Sequence, residues 1–98
     1  MAGVLNYINS NGVQSDRGFV VQCTGRFSIE YNEGSRKITV LVERGMSADK
    51  LCVTVDSAAF QRWDDDPDYV VLPPEKQDEM LANFTEAMEF QGIAVIVL

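Results

Sequence analysis

The segment Phe60-Gln61-Arg62-Trp63-Asp64-Asp65-Asp66-Pro67-Asp68-Tyr69 concentrates the side chains best able to do chemistry. Asp64, Asp66 and Asp68 repeat at i, i+2 and i+4, the spacing that opens a Ca²⁺ loop. The pattern then departs from such a loop. Its sixth position is Tyr69, where a glycine is needed for the sharp turn, and its twelfth is Glu75, beyond Pro73-Pro74. No metal is assigned to this run, and weak divalent-cation binding stays an alternative. A paired-carboxylate hydrolase needs two carboxylates facing each other across a cleft with separated pKa values. Here the carboxylates cluster on one polar stretch with a single basic neighbour, Arg62, which reads as a solvated acidic loop.

The rest of the chain narrows the chemistry further. It contains no histidine, which excludes Ser-His-Asp and Cys-His catalysis, histidine metal ligands and histidine pH switches. Cys23 and Cys52 lie apart in apolar runs, outside any CxxC pattern, and read as small buried hydrophobes. Nothing marks Lys37, Lys50 or Lys76 as a buried base. The seven glycines form neither a dinucleotide-binding nor a P-loop pattern. The expectation is a protein that is not an enzyme and carries no cofactor.

Charge gives the acidic segment its context. Residues 1–55 hold six basic and five acidic side chains, whereas residues 56–98 hold two basic and ten acidic ones, a net of −8. A chain of net charge −7 does not rest its affinity on phosphate neutralisation, so no nucleic-acid partner is expected. The anionic half is either a solubilising surface or one that steers a basic partner. Trp63 carries two readings of the same kind, a packing anchor at the sheet edge or an interface hot spot beside a charged rim. Arg62, Trp63, Asp64, Asp65, Asp66, Asp68 and Tyr69 are thus the residues that would contact a partner.

The elements that must hold this segment follow from periodicity. The chain's 98 residues fit a single domain, 1–98, with 46% hydrophobic content that argues against disorder. Val4, Leu5 and Ile8 have helical spacing, which predicts a short helix over 2–8. Four strands are expected at 18–23, 26–31, 36–43 and 50–56, with Asn32-Glu33-Gly34-Ser35 as a hairpin loop and Arg44-Gly45-Met46-Ser47 as a break. Phe27, Ile29 and Tyr31 alternate on one face; Phe19, Phe84 and Phe90 also follow core periodicity. Residues 57–63 are expected to make a short helical turn, and Tyr69-Val70-Val71-Leu72 to return to the core. Pro73-Pro74 starts a helix whose stripe is Met80, Leu81, Phe84, Ala87 and Met88, ended by Gly92. Ile93 to Leu98 is a continuous apolar run that predicts a strand buried on both faces, in the sheet centre or beside the fourth strand. The fold class is α+β, a mostly antiparallel sheet of about five strands with one long helix across one face. No signal peptide and no membrane-length apolar run is visible, so the expected address is the cytoplasm, with no membrane partner.

The order Asp56-Ser57, Arg62-Trp63-Asp64, Pro67, a Pro-Glu-led helix, Ala87-Met88-Glu89-Phe90-Gln91-Gly92-Ile93 and a closing apolar strand resembles immunity protein 74, a family of immunity proteins from bacterial polymorphic-toxin systems. The resemblance covers roughly residues 55–98 and implies a protein that binds and neutralises a cognate toxin domain. It transfers no contact residues. Toxins of such systems that act on nucleic acids present basic clefts, which an acidic loop would occupy as a phosphate mimic. The alternatives are a self-associating module that pairs through a strand edge, such as the apolar last strand, and a domain that binds divalent metal through Asp64, Asp66 and Asp68.

Overall fold

The computed structural model describes residues 4–98. Seven strands pair in sequence order, β1(Leu5–Asn9), β2(Gly12–Ser15), β3(Phe19–Cys23), β4(Ser28–Glu33), β5(Arg36–Ser47), β6(Lys50–Val55) and β7(Ala94–Val97), with one helix, α1(Pro74–Phe90), between β6 and β7. Every pairing is antiparallel except β6 with β7. The fold is therefore α+β with a mostly antiparallel sheet, of seven strands rather than about five.

The two extra strands lie in the first fifteen residues. The helix expected over 2–8 is instead β1 where the structure describes it; Ala2 and Gly3 lie outside the described residues. A window of two turns is too short to nucleate a helix alone. Here Leu5 opposes Ser15 and Asn9 opposes Gly12, so a tight hairpin wins. Asn9 Oδ1 accepts the Asn11 N–H at 2.8 Å and fixes that turn.

β5 is the frame of the molecule. Its register runs through the expected break: Gly45 faces Cys52 and Ser47 faces Lys50. Its first half pairs with β4 and its second half with β6, which leaves the β6-side edge of residues 36–41 open to another segment. The β4–β5 turn places Gly34 at φ 60, the first central position where a II′ turn requires glycine. The β5–β6 turn holds Ala48 and Asp49 at φ 51 and 65, the two left-handed positions of a I′ turn, without a glycine.

The helix begins as its sequence dictates, with Pro73 and Pro74 at the cap and first turn and Glu75 at the positive end of the dipole. It ends in a Schellman motif, in which Ile93 N–H donates to the Met88 carbonyl at 3.0 Å and Gly92 N–H to Glu89 at 2.9 Å, with Gly92 at φ 80. Met80, Phe84, Ala87 and Met88 are fully buried, and Leu81 is half-buried against them.

The core is one cluster built on Val13, Val21, Ile29, Tyr31, Val40, Val53 and the helix stripe. A run of aromatic contacts crosses it, Phe19 to Tyr31 to Phe60 to Phe84, at centroid separations of 5.8, 5.6 and 5.6 Å. Two aromatics expected in the core lie outside it. Phe27 is 60% exposed and precedes β4, and Phe90 is at the surface, where its ring meets Tyr7 at 5.2 Å. The closing strand is also less buried than its composition predicts. β7 lies beside β6, the expected neighbour, but at the sheet's end, and Ile96, Val97 and Leu98 are exposed.

Candidate functional site

The acidic segment forms a closed loop between β6 and α1. Residues 57–63 make no helix: 57–60 form a turn, with Ala59 N–H on the Asp56 carbonyl at 3.0 Å, and Gln61 and Arg62 bend away from it. Leu72 N–H donates to the Gln61 carbonyl at 2.7 Å, so the ends of 61–72 meet as in an Ω-loop. Phe60 and Trp63 hold the loop's first side in the core, and Gln77 Nε2 donates to the Leu72 carbonyl at 2.7 Å from α1.

Within the loop the four aspartates separate into two kinds. Asp64 completes the open edge of β5: its N–H donates to the Lys37 carbonyl at 2.8 Å, and its Oδ2 accepts the Thr39 N–H at 2.8 Å and the Thr39 hydroxyl at 2.6 Å. Asp66 shapes the loop from inside, its Oδ1 accepting the Asp68 N–H at 3.0 Å and its Oδ2 the Val70 N–H at 3.1 Å. Asp65 and Asp68 are exposed and their carboxylates point to solvent with no hydrogen-bond partner among the described residues. Asp64, Asp66 and Asp68 thus face different targets and do not converge on an ion. Among the described residues no group of three such side chains is placed to hold a metal.

Trp63, a candidate contact residue, is 6% exposed and belongs to the core, with the Arg36 guanidinium 5.7 Å over its ring. Its place is beneath the loop. Tyr69 has the opposite surroundings. It is 68% exposed and held at φ 54, a left-handed conformation that costs a non-glycine residue about 1 kcal/mol or more. The Arg62 guanidinium lies 5.2 Å over its ring. Val70 and Val71 follow at 57% and 60% exposure; only Leu72 of the stretch expected in the core is half-buried. The loop therefore presents Arg62, Asp65, Asp68, Tyr69, Val70 and Val71, with Asp64 also exposed but its Oδ2 engaged by Thr39. The two valines were not among the sequence candidates, and the signal for them was slight, because an apolar run beside a Pro-Pro helix start also describes a strand entering the core.

Two other polar groupings have less to offer chemically. Tyr31 hydroxyl donates to Glu33 and accepts from Asn83 Nδ2 at 3.0 Å; Lys76 Nζ donates to Glu33 at 2.7 Å and Glu79 at 3.0 Å. Burial, then the Glu33 hydrogen bond, pushes the Tyr31 phenol well above its ordinary value. Burial pulls the Lys76 ammonium down, but its Glu33 and Glu79 hydrogen bonds outweigh that and the net direction is upward. Both groups move away from neutrality, so the arrangement ties α1 to β4 rather than poising an acid or base. A cleft of about 490 Å³ beside Cys23, Thr24 and Gln91 has one charged lining residue, Arg44, whose Nε donates to the Arg26 carbonyl at 2.8 Å.

No helix among the described residues is long and apolar enough to cross a membrane. No family model matches the chain, and neither a curated protein nor a solved structure is similar to it.

Proposed function

We propose that the protein is a bacterial immunity protein that captures and neutralises a cognate toxin domain through the outer face of loop 61–72. The observation that carries this reading is Tyr69, an aromatic side chain 68% exposed in a strained backbone that Asp66 and the loop closure hold in place. Strain of this kind persists where the surroundings over-determine it and recurs at binding sites. An aromatic anchor flanked by Val70 and Val71 supplies affinity, and the rim carboxylates Asp65 and Asp68 supply steering toward a basic cleft.

Trp63 supports this surface from beneath, and Asp66 and the exposed Asp64 hold its backbone through their hydrogen bonds. Their loss disorders the loop, whereas loss of Tyr69, Asp65 or Asp68 removes a contact and spares the fold. The resemblance of residues 55–98 to immunity protein 74 names the kind of partner, a toxin domain encoded beside this gene. The test is growth of a laboratory bacterium that expresses that domain together with this protein. Rescue by the wild type, lost in the folded variant Tyr69→Ala with Asp65→Asn and Asp68→Asn, is the expected result. Rescue undiminished in that variant contradicts the proposed surface, and no rescue by the wild type contradicts the function.

A further inference from the structure

A different part of the fold, the β7 end of the sheet, leaves backbone groups unpaired among the described residues. The sheet ends at β7, whose inner side is fully used: Leu98 N–H donates to the Val55 carbonyl and the Leu98 carbonyl accepts Ser57 N–H, both at 3.0 Å. The alternation of a parallel ladder then points the N–H and C=O of Val95 and Val97 away from β6, toward an edge that no other strand among the described residues covers. The strand is Ala94-Val95-Ile96-Val97, without a charge, a proline or a bulge, the devices that guard exposed edges. The opposite edge, β1, is interrupted: its register shifts between Tyr7 and Asn9, and it interleaves Asn6 and Asn9 among its apolar residues.

We propose that β7 is a dimerisation edge, where a second copy of this chain pairs antiparallel about a two-fold axis through Ile96. The hydrogen-bond register argues for a second copy. With Ile96 opposite its symmetry mate, Val95 of one copy faces Val97 of the other in a hydrogen-bonded pair, and the reverse pair repeats it. Four bonds form and every outward backbone group of both strands is used. The side chains match as well. Across the open face of the sheet, Ile96 meets Ile96 and the larger Leu98 meets the small Ala94; on the helix face, Val95 meets Val97. No pair brings like charges together, although each copy carries a net charge of −7. A four-residue pairing is small beside the roughly 800 Å² per partner of a standard interface, so the equilibrium depends on protein concentration. Salt screens the repulsion between two acidic copies and strengthens the dimer, the opposite of its effect on a basic partner.

The experiment is sedimentation of the full chain over a concentration series, at low and high salt, for wild type, Val97→Pro and Ile96→Cys. Val97→Pro removes an N–H that has no partner in the monomer, a place where an edge strand tolerates proline. The wild type is expected to pass from monomer to dimer as concentration rises, more readily at high salt. Folded Val97→Pro is expected to stay monomeric. Ile96→Cys is expected to give a covalent dimer on mild oxidation, since residues facing across a non-hydrogen-bonded pair meet the Cα separation a disulfide needs. The Ile96→Cys result stands even if Val97→Pro fails to fold. A wild type that is monomeric throughout, assemblies larger than dimers, or Ile96→Cys that does not cross-link beyond the wild type would each overturn the proposal.

Discussion

Asp64 and Asp65 are adjacent and chemically identical, yet they differ in what they hold. Asp64 satisfies two Thr39 donors on a strand edge that β6 does not reach, while Asp65 faces water. Asp64→Ala should therefore destabilise the protein by about 1–2 kcal/mol in denaturant titration, and Asp65→Ala by less than about 0.5 kcal/mol. The sequence made the acidic run conspicuous but not this division, because it depends on where β5 loses its partner. Trp63 and Tyr69 were equally ambiguous as residue types. Burial separates them: Trp63→Ala should cost about 3–5 kcal/mol in stability, whereas Tyr69→Ala should leave stability nearly unchanged and weaken partner binding by about 2 kcal/mol, roughly thirtyfold. The Tyr31 network predicts a pH dependence. Tyr31 and Lys76 hold their protons more tightly in the folded chain than in the unfolded one, so above about pH 10 the unfolded state releases protons that the folded state keeps. Stability should be flat in this respect below that pH and fall above it, and Tyr31→Phe should reduce the slope of that fall in a series of melts at increasing pH.

At the scale of elements, the long helix and the four central strands were legible because their signals are local. Pro73-Pro74, the Met80–Met88 stripe and Gly92 mark α1 within its own residues, and each central strand has period-two apolar positions. β1 and β2 were not legible, since nine residues with Val4, Leu5 and Ile8 fit helical spacing as well as strand pairing, and the hairpin with Gly12 decides. β7 was misread in burial, because a wholly apolar strand at a sheet's end has the composition of a central one. The β5–β6 turn offers a direct check on element geometry. Ala48 and Asp49 sit in left-handed positions where Asn-Gly is preferred, so Ala48→Asn with Asp49→Gly should relieve about 1 kcal/mol and raise the melting temperature by about 4–8 °C. An unchanged or lowered melting temperature would mean that this turn is not the strained I′ type.

At the scale of the molecule, one core carries two different surfaces. The loop face presents carboxylates and an exposed aromatic ring, and the β7 edge presents an uncharged strand end. The imbalance that places a net −8 in residues 56–98 was visible in the sequence; that the loop with four of those ten acidic residues docks on β5 through Asp64 was not, because its contacts to Lys37 and Thr39 span 25 residues or more. The central claim is that the outer face of this loop captures a basic toxin domain, and the most direct measurement is the association rate of the purified pair at low and high salt. The account predicts a rate that falls as salt rises, a roughly tenfold slower rate at low salt for Asp65→Asn with Asp68→Asn, and a faster dissociation for Tyr69→Ala. Rates that are indifferent to salt and to all three substitutions would contradict it.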